Sequence, residues 1–361
     1  MTDLTSTRQS PRPPPTIART GGYGALARQI RAEGLLRPRP WTYAGYGAIC
    51  LLILGSAVAV MATHRDSWWL LALAPVLAVI STQIGFIGHD VGHLQVTRNA
   101  GRSRVLGLVT ANLFSGLSYG WWVHKHNAHH AHPNDLETDP DVRGGVLIWD
   151  ITQGTSRRGA AAWWTRQQAL FFFPLLVFEA LNLHIASVRA LFAPGLRLRP
   201  VETVLLATHV IAYVLLLALT MTWPQALLFV IIHKGIQGLY LGCSFAPNHK
   251  GMPILEGDEA RDPLLRQVLT SRNVRGGPVT DAILGGLNYQ IEHHLFPSMP
   301  RANLRHAQPI VREFCADHQI PYLECSAVAS YRAAITHMHR VGAGLPRAAT
   351  EQVRQSGRTV A

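Results

Sequence analysis

The stretch "WWLLALAPVLAVISTQIGFIGHDVGH", residues 68–93, decides the fold. Residues 68–88 carry no charge, and a bilayer core takes roughly 20 apolar residues as helix. The run then ends in His89 and His93, four apart and therefore on one face of a helix. An apolar span that delivers two imidazoles to one of its ends needs a chemical reason.

Three more runs are long and apolar enough to cross: 43–63, 203–222 and 225–246. With 68–88 they predict two helical hairpins, turning at 64–67 and 223–224. Composition agrees, with 48% hydrophobic and 15% charged residues, against about 25% charged in a soluble domain. Net charge is +12, almost all from arginine, since the lysines are Lys125, Lys234 and Lys250. No nucleic-acid motif accompanies that charge and aromatics are not interleaved with it. The basic balance therefore points to an anionic membrane surface and not to nucleic acid. The four cysteines form no CxxC pair, which excludes a disulfide framework and a zinc ribbon.

Seven arginines, from Arg8 to Arg39, precede the first span, while the first turn holds only Arg65, matched by Asp66. The positive-inside rule then puts both termini, residues 89–200 and residues 247–361 in the cytoplasm. The shorter apolar stretches 105–119 and 169–183 read as interfacial or re-entrant helices. Residues 1–30, polar and proline-rich at their start, and 341–361 are expected to be disordered tails. They flank one domain over 31–340. Lys234 lies midway along the fourth span. Facing lipid it would cost at least ~2.5–3.5 kcal/mol, so it is expected to face the protein interior.

The chain has 18 histidines. "HNAHH" gives His126, His129 and His130, and "QIEHH" gives Gln290, His293 and His294 with the same spacing. His249 follows the fourth span. All fall on the predicted side of His89 and His93. His64, His184, His209, His306, His318, His337 and His339 read as ordinary polar residues, and His124 and His132 as residues flanking a cluster. Eight converging imidazoles exceed the three or four ligands of a tetrahedral zinc and suit two metals. Imidazole binds iron, zinc, copper and nickel, so ligand counting does not fix the ion.

The boxes HxxxH (89–93), HxxHH (126–130) and QxxHH (290–294) resemble the membrane fatty acid desaturases. So do their surroundings: "WWVHKHNAHHAHPN", "DPDV" at 139–142, "FAPNHKGMP" at 245–253 and "NYQIEHHLFPSMPR" at 288–301. Glutamine at the head of the third box is similar to the front-end and sphingolipid subgroup. The resemblance implies an all-α integral membrane fold, four spans in two hairpins under a cytoplasmic helical cap. It implies two non-haem irons that activate O2, and removal of hydrogens from neighbouring methylenes to leave a cis double bond and water. Ligands would be His89, His93, His126, His129, His130, His249, His293 and His294. Asp90, Asn127, Asp139, Asp141, Asn248 and Glu292 would orient the imidazole N–H groups. Gln290 either ligates through its amide oxygen or donates N–H beside the metal. The second is preferred, because eight histidines already give two irons four nitrogens each.

The acyl substrate would ride on CoA, a carrier protein or a lipid. The HPGG haem-domain signature that many members of the subgroup carry is missing from these 361 residues. Electrons are therefore expected from a separate ferredoxin or free cytochrome with its reductase. The setting is expected to be a bacterial cytoplasmic membrane. A hydroxylase or other di-iron oxygenase on the same scaffold is the nearest alternative. A zinc protease fits worse, because Asp90 stands where HExxH carries Glu. A metal transporter would spread polar groups through the spans instead of gathering them at one end.

Overall fold

The computed structural model describes residues 22–345. The chain is almost entirely helical, running α1 (Gly22–Ala32), α2 (Pro40–Thr63), a short 3-10 turn into α3 (Leu73–Gly92), α4 (Ala100–Gly107), a π-helical segment Leu108–Ser115 and α5 (Tyr119–Ala131). There follow α6 (Gly159–Arg166), α7 (Gln168–Leu176), α8 (Glu179–Phe192), α9 (Arg199–Thr220) and α10 (Trp223–His249). The last part holds α11 (Gly257–Arg261), α12 (Pro263–Leu269), α13 (Pro278–Ile283), α14 (Gln290–Leu295), α15 (Arg301–Asp317) and α16 (Ala327–Ala343). Strands β1 (Asn273–Val274) and β2 (Glu324–Cys325) make one short parallel pair.

The four expected spans are present as α2, Trp68–Gly92, α9 and α10. Only 17% of the apolar window of α2 and of α9 is buried, against 50% for Trp68–Gly92. The first two therefore form the lipid-facing outside and the third the inside of the bundle. Proline in the first turn, where a missing N–H costs nothing, opens α2, α9 and α10. The two hairpin turns sit side by side: Asp66 N donates to Thr220 O at 2.9 Å, and Gln225 Nε2 to Asp66 O at 2.9 Å. Met61, Leu70, Leu217 and Phe229 pack behind them. That end is closed, and the helices deliver their histidines to the other.

The stretch at 105–119, expected as an interfacial or re-entrant helix, completes α4 and winds into the π segment, which packs on α3 and α9. It ends at Gly116, φ +69°, where an added Cβ would meet the His209 ring at 2.6 Å. The stretch at 169–183 is a helix pair bent by 73° between α7 and α8. Gly238 of α10 lets that break approach, since a Cβ there would meet Val177 O at 2.6 Å. Lys234 turns inward as expected, its Nζ 3.0 Å from His184 Nε2 and from Gln237 Oε1.

Two boundaries are corrected. The tail expected over 1–30 ends sooner, because Leu26 and Ile30 of α1 are fully buried in the cap core. The tail expected from 341 begins later, because α16 continues to Ala343 and buries Val341 and Leu345 beside Ile148. Residues 1–21 and 346–361 lie outside the described residues.

The arrangement predicts sidedness. In intact cells, a cysteine-reactive probe added outside should label single cysteines placed at Arg65 or Trp223 and spare those at Asn134 or Ser298. Outside labelling at Asn134 would contradict a cytoplasmic cap.

Candidate metal centre

Each histidine box reaches the centre by a different local device. His89 stands on the last turn of α3 and His93 at its C-cap. Ser118 Oγ accepts from Trp121 N and starts α5, whose last turns carry His126, His129 and His130. His249 is the last residue of α10. Helix α14 is buried on every side. Ile291 and Leu295 enter the cap core with Leu264, Met299 and Leu304, and His293 and His294 turn toward the bundle.

The nitrogens gather in two groups. Those of His89, His93, His126 and His293 lie within 4.8 Å of one another, and so do those of His129, His249 and His294. His130 stands between, its Nε2 3.1 Å from His126 Nε2 and its ring stacked on His294 at 4.2 Å. The expected eight are therefore brought together, and the neighbours His293 and His294 fall in different groups.

Outer partners fix the imidazoles. Nδ1 of His89 lies 2.9 Å from Asp90 Oδ1, and Nδ1 of His129 2.9 Å from Asp139 Oδ2. Nδ1 of His249 donates to Thr270 O at 3.0 Å, and Nδ1 of His294 to Gln267 Oε1 at 3.0 Å. A proton held at Nδ1 leaves the Nε2 lone pair facing inward. Burial, reinforced by the neighbouring imidazoles, pushes His126, His130, His293 and His294 well below the usual histidine range. These four are thus neutral, as metal ligation requires. Buried nitrogens His93 Nε2, His130 Nδ1, His293 Nε2 and His294 Nε2 have no hydrogen-bond partner. Such orphans are costly, and a metal-binding donor set explains them.

The supporting residues divide. Asp90 Oδ2 accepts from Tyr43 Oη at 2.8 Å and from Arg301 Nε. Asp139 is fully buried and also accepts from Asn134 N and Asp141 N. Asp141 reaches His129 Nδ1 at 3.6 Å while paired with Lys125. Burial alone would raise its carboxyl, but Lys125, then His129 and Lys250, hold it well below the usual carboxylate range. Asn248 touches Gln290, not an imidazole: its Nδ2 donates to Leu287 O at 2.9 Å and to Gln290 Oε1 at 3.1 Å. Gln290 Nε2 then lies 2.9 Å from His249 Nε2.

Two further expectations are corrected. Asn127 is exposed on the outer face of α5, because a residue one position from His126 points elsewhere on a helix. Glu292 faces away from the centre and accepts from Asn273 Nδ2 and Tyr322 Oη, both at 2.7 Å. Burial pushes its carboxyl up to about 7 in spite of those two donors. Gln267, Tyr43 and the Thr270 carbonyl were not legible as site residues, since none stands in a motif, and Arg301 closes the quoted stretch 288–301 with nothing local to mark a role. His124 and His132 are exposed.

Fold and site together define a membrane protein with a histidine-rich centre able to hold metal. The chain belongs to the fatty acid desaturase family, whose model, described as "Fatty acid desaturase", matches residues 66–326. It is 31% identical over 254 residues to an acyl-lipid (9-3)-desaturase of Borago officinalis, covering 66% of this chain and 56% of that one. A Delta(8)-fatty-acid desaturase of Helianthus annuus is 28% identical over 326 residues, 84% of this chain and 69% of its own length. A Delta(6)-fatty-acid desaturase of Caenorhabditis elegans is 30% identical over 318 residues, 83% and 70% of the two chains. The chain thus spans little more than half the length of the borage protein.

The outer hydrogen bonds carry a prediction. Gln267→Leu should weaken metal binding about 10–100-fold, the usual effect of removing an imidazole's outer partner. Glu292→Gln should leave metal binding as in the parent. Titration against a chelator checks both, and equal affinity in Gln267→Leu and the parent would remove Gln267 from the site.

Proposed function

We propose that this chain is an O2-dependent desaturase that introduces a cis double bond into a fatty acyl chain, using two non-haem irons. His89, His93, His126 and His293 would hold one ion and His129, His249 and His294 the other, with His130 between them. The observation that carries this reading is the gathering of seven imidazoles into a group of four and a group of three, with His130 between them, at the end of an apolar bundle. Printed names of the relatives, all fatty acid or acyl-lipid desaturases, support the substrate class. When bound, the irons would supply an oxidant derived from O2 that removes hydrogen from unactivated methylenes, which no side-chain acid or base can do.

The chain's own residues do the rest. Asp90, Asp139, Gln267 and Thr270 O hold protons at Nδ1 and keep the imidazoles pointed inward. The apolar side of α14 seals the centre from the cap side, and the spans offer an alkyl chain recognition by length and shape. The acyl group is carried on CoA, a carrier protein or a lipid. The cap lies on the cytoplasmic side of a bacterial cytoplasmic membrane. Electrons come from a separate ferredoxin or free cytochrome with its reductase. Arg261, Arg275 and Arg312, each more than half exposed, would help to steer an acidic donor to the surface.

Reconstitution with such a donor, its reductase and acyl substrates tests this reading. The expected product is lighter by two hydrogen atoms, and turnover should fall as ionic strength rises. A product heavier by one oxygen atom would make the chain a hydroxylase. Protein that is active with zinc alone, after reconstitution with iron has been tried, would sink the oxygenase reading.

Gln290 is read as a donor beside the metal and not as a ligand, because its amide oxygen is already engaged by Asn248. Gln290→Ala should keep both irons and lose turnover or the placement of the double bond, while His294→Ala should lose iron. Equal loss of iron in the two variants, measured by elemental analysis, would make Gln290 a ligand.

A further inference from the structure

A cavity opens where α2 and α3 leave the bundle and meet α13 and α15. Its volume is about 480 Å³, within the range of roughly 300–1,000 Å³ typical of ligand pockets. Its floor is apolar and comes from the spans: Ile49, Cys50, Ile80 and Ile87. Its rim comes from the cap and carries Arg301 and Arg305, with Asp281 as the one carboxylate. None of the eight clustered histidines lines it. Arg301, bonded to Asp90, stands between the cavity and His89.

The side chain of Arg301 is only 10% exposed. Its Nε is taken by Asp90, and its Nη2 is buried with no hydrogen-bond partner. A buried guanidinium N–H without an acceptor is costly, and this one belongs to a residue that lines an open cavity. Arg305 Nη1 is 4.0 Å from Asp281 Oδ2, beyond hydrogen-bonding reach. Asp281 is engaged elsewhere, its Oδ1 accepting from Asn288 at 2.9 Å. Arg301 thus keeps one unmatched donor beside its bond to Asp90, and Arg305 faces a carboxylate that Asn288 already engages.

We propose that this cavity binds an anionic phospholipid, its phosphoryl headgroup on Arg301 and Arg305 and an acyl chain along the groove between α2 and α3. The two halves of the cavity choose the ligand. Soluble phosphate would satisfy the rim and leave the apolar floor to water. A free alkane would fill the floor and leave Arg301 Nη2 unpaired. Ile49, 58% exposed on the lipid-facing side of α2, places the floor at hydrocarbon depth, and basic pockets of this kind at a membrane interface take lipid headgroups. The bound lipid is not the chain being oxidised, because Asp90 and Arg301 separate it from the histidines. It would touch the centre only through Arg301, Asp90 and His89, and so would hold Arg301 in place as a positioning residue. The site stands on the cavity and its unmatched donor, independently of the reaction.

A phosphatidylglycerol with a diazirine in one acyl chain tests the site on the full chain in nanodiscs. Label should concentrate on peptides containing Tyr46–Cys50 and Ile80–Ile87. Arg305→Glu, an exposed substitution, should lower that labelling about fivefold or more, the effect of roughly one basic group at an anionic surface. Cys50→Trp, which fills the floor, should also abolish it, while circular dichroism of both variants shows an intact helical fold. Unlabelled phosphatidylglycerol should compete and inorganic phosphate should not. Competition by inorganic phosphate would make this a free-anion site and overturn the lipid assignment. Label spread evenly over the exposed faces of α2, α9 and α10, or unchanged in both variants, would overturn the site itself.

Discussion

Everything near the cap depends on keeping eight clustered imidazoles aimed inward. Their rings stand close, 4.2 Å apart for His130 and His294, 4.6 Å for His93 and His130, 4.8 Å for His89 and His126 and 5.1 Å for His129 and His294, in a medium that screens poorly. A neutral imidazole has one donor nitrogen and one acceptor. Each donor needs a partner on the outside so that the acceptor can face in. Asp90, Asp139, Gln267 and Thr270 O supply four such partners, from α3, the loop after α5, and α12 with the turn that follows it.

That requirement explains why the cap is built as it is. Helix α12 must lie against α14 so that Gln267 reaches His294, and its Nε2 also donates to His130 O at 2.8 Å. One side chain thus fastens the third box to the second. Asn134, at φ +64°, lets the chain reverse after α5. Its backbone N–H then reaches Asp139 while its side chain contacts Thr270 O. Arg301 carries the same logic to the first box. It bonds Asp90 from α15, and Tyr43 of α2 adds its hydroxyl. The bundle sets where the helices end, and the cap sets which way the rings point.

Legibility in the sequence followed the range of the interactions. The four spans and the three boxes rest on local periodicity and stand within a few residues of where they were read. His249 was also readable, from its position just past an apolar run. Gln267 and Arg301 were not. Each acts across a long sequence separation, as in the 211 residues between Arg301 and Asp90, and nothing local distinguishes a Gln in "PLLRQVL" from a surface residue. Glu292 misled for the converse reason: it sits inside a box, but helix geometry turns it toward Asn273 and Tyr322. Helix α1 was hidden by a proline-rich lead, and contacts with α12 and α15 make Leu26 and Ile30 core residues.

The glutamine at the head of the third box is best understood through Asn248. Asn248 Nδ2 faces Leu287 O, a backbone carbonyl that can only accept, which fixes the orientation of the Asn248 amide. The same Nδ2 then demands an acceptor from Gln290, so Oε1 points to Asn248 and Nε2 toward His249. Turning Gln290 around to offer its oxygen inward would set two NH2 groups against each other in a buried, poorly screened site. A backbone carbonyl on the loop before α14 thereby decides that this position presents a hydrogen-bond donor to the centre. Histidine at 290 could accept from Asn248 or present a lone pair inward, according to its tautomer, whereas the clamped glutamine has only the first arrangement.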